Sequence, residues 1–264
     1  ASVVQSTSLS TGQKEEVSRY AAGALTLFKS SVWSETRRGR DQLLRPLEDP
    51  QTTASVSVSF RLEYSRELVP ALSTIAAKGN PDLSRLNAIR ILGSIATAQS
   101  ASAIEPFLSD ESAAIRFMAC QAAGNTFRVL AASSPALPSG EAVRLANRVA
   151  TLAASETDPT VLDGAVLGLI EATKVDITNY TEVRETAFTK LAGTMSARLQ
   201  SLAIDSQDAA LIATILRAGV AARDGLIGRT QLSGTVVREL AGFGGDLLAY
   251  VMRRTKGGHL PEPV

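Results

Sequence analysis

A chain of 264 residues, 45% hydrophobic and 5% aromatic with a formal charge of +1, is long enough for one or two globular domains or for one helical array. The balanced charge argues against gripping nucleic acid as the main task, because such proteins carry a basic excess. One cysteine excludes an internal disulfide and one histidine excludes a His-rich metal site, so no metal or cofactor is expected.

The chain opens Ala1-Ser2-Val3-Val4, with no basic-then-apolar leader. Ala1 reads either as a mature start after removal of an export signal, giving an exported or periplasmic protein, or as the trimmed end of a cytoplasmic one. Gln13–Phe28 carries Val17, Tyr20, Ala21, Ala24, Leu25 and Phe28 at helical spacing. Ser34–Arg40 is polar and reads as a solvated loop. A short helix follows through Leu43, Leu44 and Leu47, ending at Asp49-Pro50, where the proline ring disfavours helix in the preceding residue. Residues 1–60 read as N-terminal capping helices. Ser55–Tyr64 alternates like a half-buried strand, yet Val56, Phe60, Tyr64 and Leu68 also fall at four-residue steps. Helix is the better reading, since a lone strand leaves its backbone groups without partners.

Asn80-Pro81 and Asp158-Pro159 each place a capping side chain before a proline at the first helical position. Asp110 reads as a third cap. The three helices that follow present Leu86, Ile89 and Leu92; Ile115, Met118, Ala119 and Ala122; and Leu162, Ala165, Val166 and Leu169 as inner stripes. Cys120 sits within the second as a small buried hydrophobe. Gly164 and Gly168 allow close helix approach. Asp82 with Arg85, and Asp110 with Arg116, are spaced to pair within or between units. Ala131–Gly140 is the longest interior loop signal. Helices are predicted near residues 183–199, 209–220 and 236–252, the last kinked or broken by Gly242, Gly244 and Gly245. Residues 255–264, with His259, read as a flexible tail. The most apolar stretch, Leu232–Met252, carries Arg238, Glu239 and Asp246, so no transmembrane segment is expected.

A leucine-rich stub with a proline recurs: Leu43-Leu44-Arg45-Pro46, Leu68-Val69-Pro70 and Ile104-Glu105-Pro106. Recurrence of one supersecondary unit marks a solenoid, whose units bury their apolar faces on one another. Residues 103–124, AIEPFLSDESAAIRFMACQAAG, resemble a HEAT repeat: a proline-bearing first helix, an Asp turn, then a second helix with an early Arg and an Ala/Gly seam. Leu68–Ala76 and Ser84–Gly93 resemble the same two halves. The likeness is strongest over residues 66–125. It implies one all-α domain over residues 1–264, an α-α superhelix of roughly ten helices in antiparallel pairs.

HEAT-like repeats serve many roles, so the resemblance points to architecture rather than activity. No catalytic motif appears, and a repeat array offers an extended binding surface without one. The expected function is a non-enzymatic protein–protein interaction scaffold holding a protein or peptide, with nucleic acid disfavoured. The alternatives are a HEAT-like DNA-binding or DNA-glycosylase-type protein, for which Trp33 beside the arginines is the one supporting feature, and a structural subunit of a larger assembly. Metal-dependent HEAT hydroxylases lack their His-Glu motifs here, and nothing points to a chromophore lyase. Arg37, Arg38 and Arg40 are the candidate partner contacts. The oligomeric state is not legible in the sequence.

Overall fold

A computed structural model describes residues 3–48, 56–132, 135–228 and 231–257, and among these the chain is all-α with no strand. Eleven α-helices follow one another: α1 Thr11–Phe28, α2 Trp33–Glu48, α3 Val58–Ala76, α4 Asp82–Ile95, α5 Ala98–Ile104, α6 Ala113–Ala132, α7 Ser139–Ser155, α8 Pro159–Thr173, α9 Thr181–Ser201, α10 Ala209–Ile227 and α11 Gly234–Lys256. A 3₁₀ turn, Glu105–Ser109, extends α5. Odd-numbered helices pack in series as one layer and even-numbered helices as a second. Each odd helix from α1 to α9 also packs on the even helix that follows it. The result is a two-layer helical array with its core between the layers.

Small residues set the spacing of the even layer. A Cβ on Gly93 of α4 would stand 2.6 Å from the Ala122 Cα of α6, and one on Gly124 of α6 would stand 3.2 Å from the Gly168 Cα of α8. Backbones that close leave no room for a side chain, so glycine's cost in helix propensity is offset by contact along the seam. Of the expected inner stripes, Leu86 and Met118 are half-buried and the other residues are buried.

Arginines bridge the helix ends. The last carbonyls of a helix have no intrahelical donor. Arg61 of α3 donates to the Ser94 and Ile95 carbonyls at the end of α4, and Arg85 of α4 donates to the Ala76 carbonyl ending α3. Arg198 of α9 serves Ala153 and Glu156 at the end of α7. A guanidinium supplies several donors in a fixed fork, which suits this task and accounts for the preference for Arg over Lys at these positions. Burial pushes Arg61 down to about 10.

Several expectations are corrected. Ser34–Arg40 is not a loop but lies within α2, whose buried face is built partly from Thr36 and Gly39. Asn80 does not cap α4; its Nδ2 donates to the Thr74 and Ala77 carbonyls and closes α3, while Pro81 takes the cap position. Asp110 makes a turn bond to the Ser112 N–H and pairs with Arg85. Arg116 reaches the Asp110 and Glu111 backbone carbonyls rather than the Asp110 carboxylate, and its ion pair goes to Glu156. Asp82 does pair with Arg85, at 3.5 Å. The proline phrase occupies three settings: Pro46 inside α2, Pro70 inside α3 and Pro106 in the turn after α5. The loop expected at Ala131–Gly140 is shorter, since α6 reaches Ala132 and α7 starts at Ser139. α11 runs unbroken through its three glycines, because Val236, Leu240, Phe243 and Tyr250 anchor its inner face. Thr255 and Lys256 belong to that helix rather than to a tail. Asp49-Pro50, Ser55 and His259 lie outside the described residues.

The ambiguous segment is helical from Val58, capped by the Ser57 hydroxyl, with Phe60, Tyr64 and Leu68 on its buried face. Asp158 does cap α8, its Oδ1 accepting from the Thr160 and Val161 N–H groups at 2.9 and 3.1 Å. Asp158→Ala is expected to cost about 1 kcal/mol, read as a lower urea midpoint with an unchanged m-value.

Candidate functional site

The outer surface of the even layer holds a groove of about 720 Å³ running from the end of α2 across α4 and α6 to α8. A row of hydrogen-bonded side chains crosses it. Arg90 donates to Glu48 at 3.2 Å, and the Ser94 hydroxyl donates to the other Glu48 oxygen at 2.8 Å. Asn125 Nδ2 donates to Ser94 Oγ at 3.1 Å, and Arg128 donates to Asn125 Oδ1 at 3.3 Å. Arg128 Nε lies 3.6 Å from Glu171, which also takes Lys174 at 2.9 Å. Met118, Leu167, Val129 and Ala132 add apolar surface, and Gln121 stands exposed on the α6 wall.

The seam explains the row. Because Gly93, Gly124 and Gly168 bring α4, α6 and α8 to backbone contact, medium-length side chains such as Ser94 and Asn125 can meet across helices. Two carboxylates and three cations share the row, so it offers alternating charge and exchangeable hydrogen bonds rather than a continuous positive track. Cys120 borders this groove but is buried, and desolvation pushes its thiol up to about 12, which leaves it protonated and unreactive at neutral pH.

A second concavity, about 630 Å³, lies between α5, its 3₁₀ turn, the start of α6 and α7, lined in part by Glu105, Asp110 and Glu156. Each of these carboxylates is held by arginine. Glu105 takes Arg144 at 2.7 Å, Asp110 takes Arg85, and Glu156 takes Arg116 through two bonds at 2.7 and 3.0 Å. Glu156 also accepts the Thr157 and Asp158 N–H groups. The Arg116 bonds hold its carboxyl below the ordinary value of 4.5. A general acid needs a raised value near the working pH; this carboxylate is shifted the opposite way, as suits a structural junction.

Arg37 and Arg38 are exposed on α2, and Arg37 and Arg40 both lie against Asp41, at 3.9 and 2.7 Å, with Arg40 also reaching the Asn87 side chain of α4. Arg37 and Arg38 border a shallow depression with Ser34, Asp41, Gln42 and Arg45, and none of the three lines the groove. Trp33 is exposed at the start of α2. The polar residues of the groove were not singled out from sequence, although Gln121, Asn125 and Arg128 fall at the i, i+4, i+7 spacing of a polar helix face.

Among the described residues no group of three or more His, Cys, Asp or Glu side chains is arranged to hold a metal ion, and no helix is long and apolar enough to cross a membrane. No family model matches the chain, and no curated protein matches it. Among solved structures it is similar to the crystal structure of an engineered protein, a structural-genomics target, at 13% identity with a TM-score of 0.42, covering 89% of this chain and 97% of that one. Similarity at that level assigns neither family nor activity.

Proposed function

We propose that this protein is a HEAT-like repeat scaffold, without catalytic activity, that holds a protein or peptide in the groove of its even layer. The observation that carries the reading is the side-chain row from Arg90 through Glu48, Ser94, Asn125 and Arg128 to Glu171, bordered by apolar side chains. A polypeptide offers alternating donors, acceptors and apolar groups, which match such a strip. A nucleic acid backbone calls for an uninterrupted run of cations, and Glu48 and Glu171 interrupt this one.

The test begins with peptides selected from a random display library on the intact protein. Gln121→Trp fills the groove from an exposed position, so the fold is expected to survive, as circular dichroism will check. The selected peptides are expected to lose affinity for that variant by about tenfold or more, and to keep it for the Arg37→Ala/Arg38→Ala/Arg40→Ala variant. Loss on the arginine variant with binding intact on Gln121→Trp would move the site to α2.

A further inference from the structure

A further concavity, of about 320 Å³, lies where α1, α2 and α3 meet, and it shares no lining residue with the groove. Its walls follow from one proline. The ring of Pro46 leaves the Gln42 carbonyl, four residues earlier in α2, without an intrahelical donor. Tyr20 of α1 supplies one, its hydroxyl donating to that carbonyl at 2.7 Å, and the Tyr64 hydroxyl of α3 donates to the adjacent Leu43 carbonyl at 2.9 Å. Burial raises both phenols above their ordinary value, so they stay protonated and keep donating. With both hydroxyls committed to α2, the tyrosines offer the cavity their rings. Tyr64 stacks on Phe60 with ring centroids 5.1 Å apart, and Val4, Val17 and Pro46 complete an apolar lining. The short turn that carries Val4 is held in place by its carbonyl, which accepts from the Ser57 N–H at 2.9 Å.

Charge enters at the edge of this lining. Glu16 and Arg45 are its charged residues, both exposed, and neither is in an ion pair among the described residues. Arg45 also lines the depression that holds Arg37 and Arg38, so one guanidinium joins an apolar cavity to a surface with three arginines and one aspartate. That aspartate, Asp41, already meets Arg37 and Arg40. A charged group leaving the cavity past Arg45 therefore enters a field that favours an anion, with Glu16 as the one unpaired carboxylate set against it.

An apolar cavity with a few convergent polar groups is the common form of a small-molecule site. We propose that this cavity binds a small amphipathic carboxylate, a medium-chain alkanoate being the simplest, with its hydrocarbon chain against the Phe60, Tyr64 and Val17 walls and its carboxylate on Arg45. The planar fork of a guanidinium suits a carboxylate through two parallel hydrogen bonds. This inference does not depend on the groove reading.

Isothermal titration calorimetry on the intact chain tests it, with decanoate, decan-1-ol and decylammonium as probes. Decanoate is expected to bind saturably, and decan-1-ol about tenfold more weakly, since it keeps the apolar contact and loses the charge. Arg45 is exposed, so Arg45→Gln is expected to leave the circular dichroism unchanged. That variant is expected to weaken decanoate by about tenfold and to leave decan-1-ol where it was. Gln121→Trp, which fills the groove, is expected to change neither. Intermolecular NOEs from the alkyl chain to the Phe60 and Tyr64 rings are expected to place it in the cavity. No saturable binding of decanoate, equal affinity of decanoate for wild type and Arg45→Gln, or NOEs missing from both rings would each overturn the proposal. Decylammonium binding more tightly than decanoate would overturn it as well, by giving the head group to Glu16.

Discussion

Gly93→Val is expected to destabilise the protein by about 3 kcal/mol or more, near the top of the range for overpacking a tight contact. A Cβ at this position meets the Ala122 Cα at 2.6 Å, its carbonyl oxygen at 2.7 Å and its Cβ at 2.8 Å. Two of those three atoms are backbone, so no rotamer change relieves the clash and α4 must move away from α6. Ala122→Leu approaches the same contact from the other helix and is expected to fail similarly. Gly242→Ala is the control with opposite sign. Nothing lies within 4 Å of its added methyl, and exchanging glycine for alanine within a helix is expected to add about 0.5–1 kcal/mol. Urea unfolding midpoints decide it: a Gly93→Val variant that melts with the wild type would contradict the seam.

Arg116→Met is the second large effect, at about 3 kcal/mol. It strips the guanidinium from Glu156, whose side chain is 4% exposed, and removes the donor serving the Asp110 and Glu111 carbonyls. A carboxylate left in so dry a site keeps its desolvation cost without its partner. The pair also carries a pH signature. Arg116 lowers the folded-state value of Glu156, so its stabilisation is present above the ordinary 4.5 and is lost as pH falls through the depressed value. The stability gap between wild type and Glu156→Gln is therefore expected to be widest near neutrality and to close on acidification below about 4.5. A gap independent of pH would contradict the electrostatic origin.

The helices themselves were legible, because stripes such as Ile89 and Leu92 or Leu162, Ala165 and Leu169 state their periodicity in apolar residues. α2 was cut short because two of its buried positions are Thr36 and Gly39, which a hydropathy pattern does not register. Gly39 is buried for its smallness: a Cβ there would strike the Phe28 backbone of α1. Asn80 was misassigned because a side chain between two helices can serve the end of one or the start of the next, and only geometry separates these. The glycines of α11 suggested a break on propensity alone, and packing of its inner face overrides propensity. The groove was hidden for another reason. Asn125 meets Ser94 across 31 residues and Ser94 meets Glu48 across 46, so no local spacing joins them.

The central claim, that ligand binds along the even-layer groove, is tested most directly by the side-chain amide resonances of asparagine and glutamine in an ¹⁵N NMR titration with a selected peptide. Asn125 and Gln121 lie in the groove, Gln42 lies beside the α2 arginines, and Gln207 lies just before α10. Binding is expected to shift the Asn125 and Gln121 signals and leave those of Gln42 and Gln207 in place. Shifts at Gln42 with Asn125 and Gln121 unmoved would contradict the claim.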